Sequence, residues 1–129
     1  MGGELELVIQ QERSADFPGH LVLRLAGHAT PSNHALLVDA FHHAIESIKV
    51  FTGADGGVIL NLADLSTASS SSVGAMLTLS RDLRKMGRPL ALAEVSTVFN
   101  QVLDLLRLQE AFTIFDTEAD AHAGLAKIL

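Results

Sequence analysis

The sequence predicts an α/β fold: a mixed, mainly parallel β-sheet of about five strands with four helices, in the order β-β-α-β-α-β-α-β-α. Three observations predict it. Short apolar runs alternate with longer segments whose apolar residues recur every three or four positions. The helical segments carry start signals, Ser, Thr or Asp at the front, and the second is stopped by Gly87 and Pro89. The chain has 129 residues, 48% of them apolar, which is enough for one filled hydrophobic core. No linker or internal repeat divides it, so residues 1–129 read as a single domain.

Leu5, Leu7 and Ile9 alternate with Glu4, Glu6 and Gln10, with Val8 out of phase, as in an edge-like first strand. Phe17-Pro18-Gly19 is a turn signal. A second strand runs from His20 to Ala26 with Leu21, Leu23 and Leu25 on one face, and Gly27 ends it. Thr30-Pro31 starts a helix, Thr at the cap and Pro at the first helical position. Leu37, Val38, Phe41, Ala44, Ile45 and Ile48 follow at helical spacing. Thr52 to Gly57 is a loop. Val58-Ile59-Leu60-Asn61-Leu62 is short, apolar and β-branched, as a strand covered on both faces should be. Ala63 to Ala68 connect it to four consecutive serines. A second helix begins near Ser71 or Ser72, with an apolar stripe of Val73, Met76, Leu77, Leu83 and Met86, and with Arg81, Asp82 and Lys85 outward. Gly87 and Pro89 stop it. Leu90 to Ala93 form the next strand. Ser96 caps a third helix whose apolar residues are Val98, Phe99, Val102, Leu103 and Leu106. Phe112 to Phe115 make a last strand, and Asp116 or Thr117 caps a final helix running to about Lys127. The first two strands are placed to pair as a hairpin at one side; the others require right-handed crossovers.

Composition removes several functions. Nine Lys and Arg against fifteen Asp and Glu give a formal charge of −6. That opposes binding to a phosphate backbone, which needs basic clusters. There is no Trp or Tyr, and six Phe supply all the aromatics, too few for base stacking. Without cysteine there is no disulfide, thiolate nucleophile or zinc-thiolate site. No apolar run approaches the roughly 18 residues of a membrane span. Residues 1–6 lack the basic and apolar regions of a signal peptide, so a cytoplasmic location is expected.

The run Ser69-Ser70-Ser71-Ser72 lies between a buried strand and an amphipathic helix. One reading is capping, since Ser accepts hydrogen bonds from the free N–H groups of a helix start. One serine suffices for that. The other reading is a modifiable site. A helix N-terminus tolerates negative charge, and a phosphate there adds about 1.5 to 2 charges to an exposed surface without unfolding it. On the turn alone both readings stand.

The segment Val58 to Leu77, with Asp64-Leu65-Ser66-Thr67-Ala68-Ser69-Ser70-Ser71-Ser72-Val73-Gly74 at its centre, resembles the central motif of the STAS domain family, which includes bacterial anti-sigma-factor antagonists. That motif is a buried strand, then Asp-Ser-Ser-Gly-Leu-Gly, then a helix. The resemblance continues through Leu83 to Leu92 and Val102 to Leu108. It takes in the last helix with Glu118, Ala119, Ala121 and Leu125, and upstream Leu23-Arg24-Leu25-Ala26-Gly27. Members have no catalytic triad. Those in sigma-factor control bind an ATP-using anti-sigma kinase, which phosphorylates the first Ser of Asp-Ser-Ser and so releases the antagonist. The resemblance implies Ser70 as acceptor, with Ser71 the second choice. Its departures are specific. Ser69 stands for the family's Asp and Ser72 for its Gly; Thr30, in Gly27-His28-Ala29-Thr30, stands for a second Asp; and Arg107 stands for a Gly near the end of the third helix.

Other candidates reduce to structure. His42 and His43 are adjacent and point about 100° apart on a helix. His34 and His42 are roughly aligned, but Asp39 points elsewhere, so no metal site is expected. There is no Gly-x-Ser-x-Gly elbow for a hydrolase. Gly53 to Gly57 precede a strand, whereas a phosphate-cradling loop follows one, and no P-loop Lys is present. Arg81, Arg84, Lys85 and Arg88 suit the end of the second helix, and Asp116, Glu118 and Asp120 the start of the last. Arg81 also counts as a docking residue, because its helix begins at the serine turn.

The resemblance and these residues together imply a protein-interaction switch and not an enzyme, without a cofactor of its own. The expected binding surface comprises Gly27, His28, Thr30, Ser69, Ser70, Ser71, Ser72 and Arg81. The expected partner is an anti-sigma factor or histidine-kinase-like ATPase, with no nucleic acid and no membrane insertion; a homodimer stays open. The alternative is a non-phosphorylated scaffold or accessory subunit in a stress-signalling or lipid-transport assembly. A small-ligand sensor is a third class, for which the sequence marks no pocket.

Overall fold

The computed structural model describes residues 6–17, 19–50 and 56–128. Leu5, Pro18 of the turn signal and the loop positions 52–55 lie outside them. Five strands, β1 (Leu7–Arg13), β2 (Leu21–Ala29), β3 (Val58–Ala68), β4 (Leu90–Ala93) and β5 (Thr113–Phe115), lie side by side in chain order. β1 runs antiparallel to β2, and the other neighbours are parallel. Four helices complete the fold: α1 (His34–Lys49), α2 (Ser70–Lys85), α3 (Thr97–Leu105) and α4 (Glu118–Ile128).

Because β2, β3, β4 and β5 step across the sheet in one direction, right-handed crossovers place α1, α2 and α3 on the same face. Their apolar stripes meet there. Leu37, Phe41 and Ile48 of α1, Val73, Met76, Leu79 and Leu83 of α2, and Phe99 and Leu103 of α3 pack with Leu23, Leu25, Leu60 and Leu62 of the sheet. Each such side chain contributes about 1.5–3 kcal/mol by leaving water. The opposite face is covered by α4, where Ala121 and Leu125 meet Val22, Ile59, Ala91 and Ala93. At the start of α4 the Arg24 guanidinium grips both Glu118 oxygens at 2.9 and 3.1 Å and also reaches Glu12 at 2.7 Å. Glu118 is therefore more than a first-turn charge.

The element order is the predicted one, with corrected boundaries. β3 does not stop at Leu62; it continues to Ala68, because β2 keeps pairing with it as far as Ala29↔Ala68. β1 extends to Arg13. A 3₁₀ turn, Pro31–Asn33, capped by Thr30, precedes α1 proper. α2 begins at Ser70, earlier than Ser71 or Ser72, and its buried stripe includes Leu79, while Leu77 and Met86 are only partly covered. Leu106 caps the end of α3 and is exposed, and Phe112 precedes β5.

Candidate functional site

The serine turn is held in place from both sides. The Ser69 N–H donates to the Ala29 carbonyl at 3.0 Å, a last rung of the β2–β3 ladder. Ser69 itself is extended, with φ −83° and ψ 163°, the geometry of an N-cap. Its Oγ accepts the Ser72 N–H at 3.2 Å. Its carbonyl accepts the Ser72 hydroxyl at 2.6 Å and the Val73 N–H at 3.2 Å.

The four serines thus divide their work. Ser69 caps the helix. Ser72 is 1% exposed and tied back to Ser69, so it belongs to the fold. Ser71 is exposed and shares a 2.9 Å hydrogen bond with the Ser69 hydroxyl. Ser70 is exposed at the first helical position, and its hydroxyl takes no part in the cap. Among the described residues no His, Asp or Glu side chain hydrogen-bonds to any of the four.

Beside this turn runs the segment from Gly27 to Thr30. Gly27 has φ +101°, and a side chain there would collide with the Glu6 carbonyl just before β1. The irregular register on either side of it re-aims His28, whose Nδ1 lies 2.9 Å from the Thr67 hydroxyl of β3. Thr30 is fixed through its backbone, its N–H donating to Asn33 Oδ1 at 2.9 Å while Asn33 Nδ2 donates to the His28 carbonyl at 2.8 Å. Asn33 is therefore the clamp of this segment. The sequence reading missed it, although an amide three residues after a helix-capping Thr is the signal for such an arrangement.

Gly27, His28, Thr30 and the four serines lie together at one end of the sheet. Arg81 is exposed but stands apart. It is eleven residues beyond Ser70, on the same helical face but about 16 Å along the axis. The turn also borders a cavity of about 370 Å³ between α1 and α2. Ser71, Thr78 and Asp82 of α2 face His34, Phe41 and His42 of α1 across it. His34 and His42 do share a wall, as their spacing suggests. Among the described residues no group of three or more His, Asp or Glu is arranged to hold a metal ion. No helix among them is long and apolar enough to cross a membrane.

The model of the STAS domain family matches residues 11–121. No curated protein sequence matches the chain significantly. Solved structures do, through their fold. An anti-sigma factor antagonist from Mycobacterium paratuberculosis superimposes with a TM-score of 0.79 at 13% identity, over 94% of this chain and 95% of that one. The Bacillus cell fate determinant SpoIIAA in its phosphorylated form gives 0.64 at 22%, over 95% and 100%. The murine Solute Carrier 26 family member A9 anion transporter gives 0.64 at 16%, covering 84% of this chain but 18% of the transporter.

Proposed function

Because the chain belongs to the STAS domain family, we propose that it is a single-domain protein-binding switch resembling an anti-sigma-factor antagonist, docking an anti-sigma, histidine-kinase-like ATPase through the serine turn. The observation that carries this reading is the division of labour among the serines. Ser69 and Ser72 are consumed by the fold, which leaves Ser70, and after it Ser71, presented on an exposed helix start. The solved anti-sigma-factor antagonists of the same fold support the same role. Gly27, His28 and Thr30 extend the surface on one side, and Arg81 marks its far end along α2.

In this account the partner binds ATP and transfers the γ-phosphoryl group to Ser70 Oγ, releasing ADP and the hydroxyl proton. Neither Ser69 nor Thr30 carries a carboxylate, so the base that accepts the proton comes from the partner. The phosphate joins a helix N-terminus whose first turn holds no acidic residue, so the domain stays folded. Its charge and hydration oppose burial in the interface, and the complex separates.

The test is incubation with the candidate kinase and ATP, read by mass spectrometry. Phosphate on Ser70 or Ser71 supports the switch; stable binding without any added phosphate removes the switch and leaves the second reading. That reading is constitutive docking as a scaffold or accessory subunit, favoured by the missing carboxylates at Ser69 and Thr30. The anion transporter's shared fold also supports it.

A further inference from the structure

Two histidines meet on the face of the sheet covered by α4. His20, just before β2, is 3% exposed and His122, on α4, is 8% exposed. Their Nδ1 atoms lie 2.8 Å apart, and the rings are within 6° of parallel. Phe17 lies nearly parallel to both, its ring centre 5.1 Å from His20 and 4.9 Å from His122. The turn that carries Phe17 and His20 is braced internally. The His20 N–H donates to the Phe17 carbonyl at 2.8 Å, and the Ser14 N–H to the His20 carbonyl at 3.0 Å. One side of the pair is thus fixed, and the other rides on a helix.

Two imidazole nitrogens at hydrogen-bond distance need one proton between them, one nitrogen donating and the other accepting. Full protonation puts an N–H on both facing atoms. The bond is then lost, and two positive charges face each other in a buried place. Elsewhere α4 is held by the apolar contact of Ala121 and Leu125, with Phe115 against it, and at its first residue, where Glu118 pairs with Arg24, accepts from Asn61 and donates its N–H to Glu94. The geometry points to a proton-operated latch, in which His20 and His122 hold α4 on the sheet while one proton sits between their Nδ1 atoms and loosen it when both rings are protonated.

The charged groups around the pair are Glu118 from α4, Asp16 from the turn before β2, Arg24 from β2 and Glu12 from β1. Burial lowers the His20 pKa below its usual value near 6.5, and the neighbouring His122 charge lowers it further. Burial also lowers His122; Glu118 and Asp16 act against this, and Arg24 adds to it. The folded rings therefore take up protons less readily than unfolded ones. The stability they contribute is complete above about pH 6.5 and is lost as pH falls through the lower folded values. His122 borders an open cleft beside Asp16 and Glu118, which gives protons a way in.

The test compares thermal unfolding of the full chain at pH 7.5 and 5.0 for wild type, His20→Gln and His122→Gln. The wild-type Tm is expected to fall by about 5 °C more than that of either variant. Amide exchange, corrected for its intrinsic pH dependence, is expected to accelerate in α4 but not in α2. Equal falls in Tm overturn the latch. Should the variants not fold, histidine ring shifts in wild type decide. Titration of both rings below the usual range, in step with faster α4 exchange, supports the latch; titration at ordinary values with α4 exchange unchanged overturns it.

Discussion

Arg107 follows α3 with φ +56°, a left-handed conformation that costs a residue bearing a Cβ about 1 kcal/mol. Gly87 takes the same place after α2 with φ +73°. The two ends are built alike. The Gly87 and Arg88 N–H groups bond back to Arg84 and Leu83 at 3.0 and 2.9 Å, and those of Arg107 and Leu108 to Asp104 and Leu103 at 3.1 and 2.9 Å. Only one end has the residue its geometry favours. Arg107→Gly should therefore raise stability by about 1 kcal/mol, some 4 °C in Tm, by thermal melting. A lower Tm would mean that the arginine side chain outweighs the strain. Gly74 poses the opposite case. It lies inside α2, exposed, and a Cβ there would meet nothing within 4 Å. Helix-interior Gly costs about 1 kcal/mol relative to Ala, and among the described residues no contact requires it. It sits one turn beyond Ser70 on the same face, where a partner's backbone would pack. Gly74→Ala should raise stability by about 0.5–1 kcal/mol in a urea melt while weakening the kinase-like partner roughly tenfold. Undiminished binding would place the contact elsewhere.

At the scale of elements, the start of α2 separates folding from display. Ser69→Ala removes the cap and should cost about 1 kcal/mol in chemical denaturation. Ser70→Ala should stay within about 0.5 kcal/mol of wild type. Equal losses would contradict the division of labour. The elements were legible because their signals are local. Ser96 does cap α3, accepting the Phe99 N–H at 3.1 Å, and Thr117 caps α4, accepting the Asp120 N–H at 3.0 Å. The length of β3 was not legible. Beyond Leu62 the strand alternates Leu65 with exposed Asp64, Ser66 and Thr67, and that polar stretch mimics a loop. Its continued pairing with β2 is a tertiary fact, invisible to a local pattern.

For the whole molecule, the parallel strands deliver Ala29, Ala68, Ala93 and Phe115 to one end of the sheet, the end where open α/β sheets commonly bind their ligands. The serine turn stands there, beside Gly27 to Thr30, as its motif implies. Which serines face solvent could not be read from four identical letters; the hydrogen bonds of Ser69 and Ser72 decide it. The cavity walled by His34, His42 and Asp82 was hidden because it joins two helices. The His20–His122 pair was hidden because 102 positions separate its members. The proposed switch at Ser70 is tested most directly by titrating the candidate anti-sigma ATPase with wild type, Ser70→Ala and Ser70→Asp in a calorimeter. Wild type and Ser70→Ala should bind within about threefold of each other, and Ser70→Asp at least about tenfold more weakly, a loss of about 1.4 kcal/mol. Binding of Ser70→Asp as tight as that of wild type would contradict it.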